Sequence, residues 1–265
     1  MDEFVDKLLG DMDAAVQTWT GNPFAHEGDR EITLRFDFSA TQSVMHKADP
    51  DNLVLGYTRT MMGFLMFQPK PERIAMIGLG GGSLAKYCLR HIPDVHFTAI
   101  EINPRVIALR DKFRIPPDGP KFKVICADGA VYVRNRSKLV DVLLIDGFNQ
   151  DGQARQLCSA EFYAHCYAKL RKGGVLVVNM LNSDRKCATY ITRIRERFDD
   201  QVIAIEAEFF GNRIVFAYKG TDFPLLATRM REGVGDLGPM HTISLHVIAQ
   251  AVIEQMEQHP LSIPA

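Results

Sequence analysis

Between Arg73 and Lys219 short apolar runs alternate with stretches whose apolar residues recur every three to four positions. The runs predict strands over 73–78, 95–101, 121–126, 140–146, 174–180, 202–207 and 213–219, and the intervening stretches predict helices over 82–91, 104–113, 129–136, 159–171 and 184–198. Strand–helix alternation of this kind specifies a parallel sheet with helices on both faces, because right-handed crossovers leave few other topologies. Only Glu208 to Asn212 separate the last two strands, too few residues for a crossover helix, so these two are expected to form an antiparallel hairpin.

Ahead of this region the pattern changes. Asp2 to Trp19 reads as a helix closed by the turn Gly21-Asn22-Pro23. From Glu31 the period becomes two, with Ile32, Leu34, Phe36 and Phe38 alternating against Thr33, Arg35 and Asp37, and a second strand follows at Gln42 to His46. Asp49-Pro50-Asp51-Asn52 then punctuates the chain and can cap a helix from Leu53 to about Phe67. Near the C-terminus, Ile243 to Gln258 is amphipathic, with Leu245, Ile248, Ala249, Val252, Ile253 and Met256 on one face that can pack on the same subunit or on a partner. The expected organisation is an N-terminal helix, small β annex and linking helix over residues 1–70, followed by an α/β nucleoside-binding domain over 71–265. A mostly parallel sheet ending in an antiparallel hairpin is the class I methyltransferase-like arrangement.

Composition narrows the picture modestly. A chain of 265 residues with 46% apolar and 24% charged residues can bury one large core, or one core plus an annex. A net charge of −1 gives no reason to expect a nucleic acid or an anionic membrane as partner. No apolar run approaches the roughly 20 residues that span a bilayer, and the acidic start MDEFVDKLLGDMDAA lacks a signal-peptide core, so a cytoplasmic protein is expected. The five cysteines, Cys88, Cys126, Cys158, Cys166 and Cys187, are scattered without a CxxC pair and read as free thiols, with no metal site.

Candidate chemistry lies where the predicted strands end. Gly78, Gly80 and Gly82, with Gly81 between them, form a glycine loop from strand to helix, where a ligand can approach the backbone without meeting a Cβ. Glu101, followed by Ile102, closes the next strand and is placed to accept hydrogen bonds from ribose hydroxyls. Asp128-Gly129 closes the third strand, where a carboxylate can accept from an adenine amino group, and Asp146 closes the fourth, beside the reaction centre. Ser83 occupies the place where a dinucleotide fingerprint needs Gly or Ala. Leu170-Arg171-Lys172-Gly173-Gly174 reads as a helix ending in a glycine cap that feeds the fifth strand. Singly, Asp128 could merely cap its helix and Asp146 a turn. Jointly, the acids and the glycine loop converge on one rim of one sheet and point to a nucleoside-bearing cofactor, in a series that looks like the sulfonium-nucleotide fold of methyltransferases, which binds S-adenosylmethionine.

From about Glu31 to Lys219 the chain resembles the polyamine aminopropyltransferases, the family typified by spermidine synthase. Asp146 to Leu157, DGFNQDGQARQL, is similar to the family signature D-S-S-D-P-x-G-P-A-x-x-L, matching at Asp146, Gly152, Ala154 and Leu157. Glu101 resembles the family's ribose-binding Glu, Asp128-Gly129 its adenine-binding Asp-Gly, and Gln42 and Tyr57 its Gln and Tyr before the glycine loop. The resemblance implies an N-terminal β-domain before a methyltransferase-like domain, an aminopropyl group donated by decarboxylated S-adenosylmethionine to a small amine, a possible homodimer, Asp146 as base and Tyr57 orienting the acceptor.

The chain departs from the pattern where the amine would sit. Gly81 stands at the glycine-loop position of a family Asp, Asn149 at the second signature Asp, Thr58 at a Gln or His, and Phe209 at a late Tyr. A diamine is a dication, and losing two carboxylates should cost several kcal/mol of its binding, so ordinary spermidine synthesis is expected to suffer more than nucleoside binding; Glu208 or Asp151 are possible replacements. Three functions remain open from sequence: aminopropyl or other alkyl transfer to an amine, methyl transfer from S-adenosylmethionine, and a catalytically silent relative used for binding or assembly.

Overall fold

The computed structural model describes residues 22–36, 41–149, 152–209, 211–237, 241 and 243–258, so the expected N-terminal helix lies outside the described residues. Three antiparallel strands open the described chain: β1 (Phe24–Glu27), β2 (Glu31–Arg35) and β3 (Thr41–His46). The period-two pattern anticipated β2 and β3; β1 is an addition. The helix expected over 53–67 is broken into α1 (Gly56–Met61) and α2 (Phe64–Phe67) by a turn at Met62-Gly63.

The main sheet then builds in the expected alternation: β4 (Arg73–Ile77), α3 (Ser83–His91), β5 (His96–Glu101), α4 (Pro104–Ile107), β6 (Phe122–Cys126), α5 (Gly129–Arg134) and β7 (Val140–Ile145). A two-stranded ribbon, β8 (Phe148–Asn149) and β9 (Gly152–Gln153), precedes α6 (Ala160–Lys169) and β10 (Leu170–Leu181). The chain continues through α7 (Cys187–Arg197), β11 (Val202–Glu206), β12 (Asn212–Lys219), α8 (Phe223–Leu237) and α9 (Leu245–Gln258). The seven-stranded order is β11-β12-β10-β7-β4-β5-β6, with β12 antiparallel to both its neighbours and the remaining pairs parallel. This is the mostly parallel, methyltransferase-like sheet that the alternation and the short final connection imply.

Alternating side chains feed two cores. Ile74, Met76, Phe97, Val142, Leu144, Val175, Val177 and Phe216 face one side, where they join Leu34 and Met45 of the annex and the buried stripe of α9. Ala75, Ile77, Leu143, Ile145, Leu176, Val178 and Val215 face the other, under α6 and α7. The α9 stripe of Leu245, Ile248, Ala249, Val252 and Met256 is thus buried within this subunit, against α8 and β11.

The glycine cap expected after residue 171 is not formed. α6 stops at Lys169 because Leu170 is drawn straight into parallel pairing with Val140, and Gly173 (φ +80°) sits in an irregularity inside β10 before pairing resumes at Val175. α4 likewise ends at Ile107 and continues only as turns, and α8 has no counterpart among the predicted helices.

Candidate active site

β4 has β5 on one side and β7 on the other, so the connections leaving the carboxyl ends of β4 and β7 diverge and open a crevice between them. The chain is tightest there. Asp146 donates its N–H to Ile77 O at 2.9 Å, and a Cβ on Gly78 (φ +94°) would lie 2.3 Å from the Asp146 carbonyl oxygen. Gly78→Ala is therefore expected to cost about 3 kcal/mol or more, from a left-handed backbone plus a backbone clash, seen as a fall in thermal midpoint.

The crevice opens into a cavity of about 570 Å³ between the annex and the sheet rim. Gln42 of β3, Tyr57 and Thr58 of α1, Gly78, Gly80, Glu101, Ile102, Asp128, Gly129 and Asp146 all line it. Glu101 is 7% exposed; its Oε2 accepts the Leu79 N–H at 2.9 Å and its Oε1 accepts the Asn103 N–H at 2.8 Å. Burial pushes the Glu101 carboxyl above the usual carboxylate range, while the surrounding backbone N–H groups pull it back. Each oxygen retains a further lone pair for a ligand. Asp128 caps α5, its Oδ1 accepting the Ala130 N–H at 2.6 Å, and the residue also lines the cavity.

Asp146 is held from both sides. Tyr57 donates its hydroxyl to Oδ2 at 3.2 Å and Asn179 donates Nδ2–H to Oδ1 at 2.8 Å, while Asn212 Nδ2 donates to Asn179 Oδ1 at 2.9 Å. Burial raises the Asp146 carboxyl above its ordinary value against the opposing pull of these hydrogen bonds, and burial with the neighbouring carboxylate raises the Tyr57 phenol well above its own. Asn179 and Asn212 were not among the residues singled out from sequence. The available signal was Asn179 itself, one amide inside the apolar run Val175–Leu181.

The described cavity wall holds three carboxylates, Glu101, Asp128 and Asp146, and no Lys, Arg or His. Among the described residues, no group of three or more His, Cys, Asp or Glu could hold a metal ion, and no helix is long and apolar enough to cross a membrane.

Comparison with known proteins agrees with this geometry. The spermine/spermidine synthase domain family matches residues 54–207, the segment that carries α1 through β11 and hence most of the cavity wall. The chain belongs to that family. It is 34% identical over 216 residues to a polyamine aminopropyltransferase of Neisseria meningitidis serogroup A, covering 81% of this chain and 82% of the relative. It is 37% identical over 188 residues to one of Chromobacterium violaceum, covering 71% and 72%. The fold is also that of a probable spermidine synthase from Corynebacterium glutamicum, with a TM-score of 0.66 at 20% identity over 80% of this chain and 84% of that one. The family is one of transferases, so the crevice belongs to an enzyme fold with group transfer as its business.

The positions that depart from the family pattern are placed unequally. Thr58 lines the cavity, but its hydroxyl is spent on Leu55 O at 2.6 Å. Gly81 does not line it: a Cβ there would lie 2.6 Å from Ser43 Oγ and 2.9 Å from Phe113 Cδ1, so this position faces protein. Gly82 likewise stands behind the loop, in a left-handed conformation that caps α3. Phe209, expected beside an amine, is instead 76% exposed in the β11–β12 turn with the Arg59 guanidinium 5.5 Å above its ring. Glu208 pairs with Arg59 at 2.6 Å and does not line the cavity. Asn149 lies in β8 beside the cavity residues Phe148 and Gly152, and Asp151 falls outside the described residues.

Proposed function

We propose that this protein transfers an aminopropyl group from decarboxylated S-adenosylmethionine to a small amine. The observation that carries this reading is the charge of the cavity. A sulfonium donor bearing an ammonium but no carboxylate enters a wall of three acids favourably, whereas S-adenosylmethionine would bring a carboxylate with no cation to meet it. The Gly81 position gives no separate support to the carboxylated donor, because it faces Ser43 and Phe113 and not the ligand space. Name and family of the curated relatives agree with aminopropyl transfer.

In this reading Glu101 receives the ribose hydroxyls on its remaining lone pairs, Asp128 and Gly129 flank the adenine, and Gly78, Gly80 and Gln42 border the donor. The amine nitrogen displaces the thioether in line: a C–N bond forms, the C–S bond breaks with its electron pair passing to sulfur, and methylthioadenosine leaves. The amine must surrender a proton to attack, and Asp146, whose carboxyl burial makes more basic, accepts it while Tyr57 holds the geometry. Most of the rate enhancement comes from alignment and from excluding water, and the base adds to it.

Parallel calorimetric titrations test the donor. Decarboxylated S-adenosylmethionine is expected to bind at least about 100-fold more tightly than S-adenosylmethionine, the scale of one unpaired charge in a desolvated site. Methylthioadenosine release with amine acceptors then establishes turnover. Tighter binding of the carboxylated donor would move the activity to methyl transfer, and binding of neither would leave a silent relative.

A further inference from the structure

Resting on the role proposed for Asp146, we propose that Asn179 and Asn212 form a positioning relay that fixes the orientation of the Asp146 carboxylate and sets how readily it takes a proton. Asn179 is 1% exposed near the end of β10, and Asn212 opens β12, its antiparallel neighbour, where it pairs in register with Leu181. Both line the cavity. Three strands, β7, β10 and β12, therefore deliver Asp146, Asn179 and Asn212 to one row.

Hydrogen-bond logic gives the row a direction. An ionised carboxylate only accepts, so Asn179 must turn its NH₂ toward Asp146 Oδ1, which leaves its carbonyl to receive the NH₂ of Asn212. Reversing Asn179 would set a carbonyl against the carboxylate and an NH₂ against an NH₂. Bonds aligned this way polarise one another, so Asn212 strengthens the donor that Asn179 offers to Asp146. Tyr57 on α1 secures the other oxygen and is the titratable group in contact with Asp146; Glu101 and Asp128 share the same cavity, and no described lining residue from β3, β4, β9, β10 or β12 carries a positive charge. The two amides thus supply, without charge, the support for the ionised carboxylate that a cation would otherwise provide. A neutral relay leaves the site attractive to a cationic donor and amine.

The test compares Asn179→Ala, Asn212→Ala and Asn212→Asp with the intact protein. Two readouts are followed: the acid limb of the pH profile of kcat/KM, and the titration of the Asp146 carboxyl by carbon-13 NMR, assigned through Asp146→Asn. Losing the amide that faces the carboxylate should move both upward by roughly one pH unit, the effect of one hydrogen bond to a charged group. Asn212→Ala should move them in the same direction by a smaller step. Asn212→Asp should move them further than Asn212→Ala, because Asn179 can no longer give its carbonyl to the neighbour and a like charge has entered the row. Asn212 is only half-buried, so its variants decide the matter even if Asn179→Ala folds poorly. Variants that lower kcat while leaving the Asp146 titration in place would overturn the relay. Should the wild type show no aminopropyl transfer, the assigned reaction fails, yet the NMR titration still confirms or overturns the relay.

Discussion

Asp146→Asn is expected to lower turnover by about 10²–10⁴-fold, the range for removing a general base, while affinity for uncharged methylthioadenosine and the fold survive. Asn keeps the shape and can still accept from Asn179, but it cannot take a proton. The same change should not destabilise the protein. Because burial raises the Asp146 carboxyl in the folded state, the folded protein holds that proton more tightly than the unfolded chain does. The resulting stability is present below the ordinary carboxylate value and is lost as pH rises through the raised one, so at neutral pH the ionised Asp146 is a cost that Asn lacks. A thermal midpoint equal to or above wild type at pH 7, together with collapsed steady-state turnover and an unchanged methylthioadenosine isotherm, is the expected pattern. Full activity in the variant would remove Asp146 from the chemistry.

The strands and the acids at their ends were legible because both follow from local rules. A strand covered on both faces must be apolar almost throughout, so Ala75 to Ile77 and Val142 to Ile145 declare themselves, and a carboxylate just beyond such a run can only lie at the rim. The antiparallel hairpin followed from a connection too short for a helix. What escaped depends on pairing that no local pattern encodes. Leu170 leaves α6 because Val140 lies beside it, and the sequence Arg171-Lys172-Gly173-Gly174 looks equally like a helix cap or a strand irregularity. Asn179 and Asn212 meet only because β10 pairs with β12 in one register. Phe209 illustrates the converse: aligning it with a family residue was straightforward, but the turn that carries it has a positive φ of 70° and directs the ring to Arg59.

Glu101 is expected to dominate nucleoside affinity. Two hydrogen bonds from ribose hydroxyls to an ionised, buried acceptor at about 1.5–3 kcal/mol each amount to about 10²–10⁴-fold in dissociation constant. Glu101→Gln keeps the volume but turns one acceptor into an NH₂, which must face either a backbone N–H, at Leu79 or Asn103, or the ribose. Methylthioadenosine is the appropriate probe, since it has the ribose and adenine without the sulfonium charge, and its loss of binding isolates the hydroxyl contacts from general electrostatics. The pH dependence supplies a second, independent sign. Burial raises the Glu101 carboxyl, and only the ionised form can accept from Leu79, Asn103 and two hydroxyls together, so nucleoside affinity should be full above the raised value and fall as acid protonates the group. In Glu101→Gln that acid limb should vanish as well as the affinity falling. A variant that binds methylthioadenosine as tightly as wild type would place the ribose elsewhere in the cavity, and with it the alignment of the sulfonium carbon against Asp146.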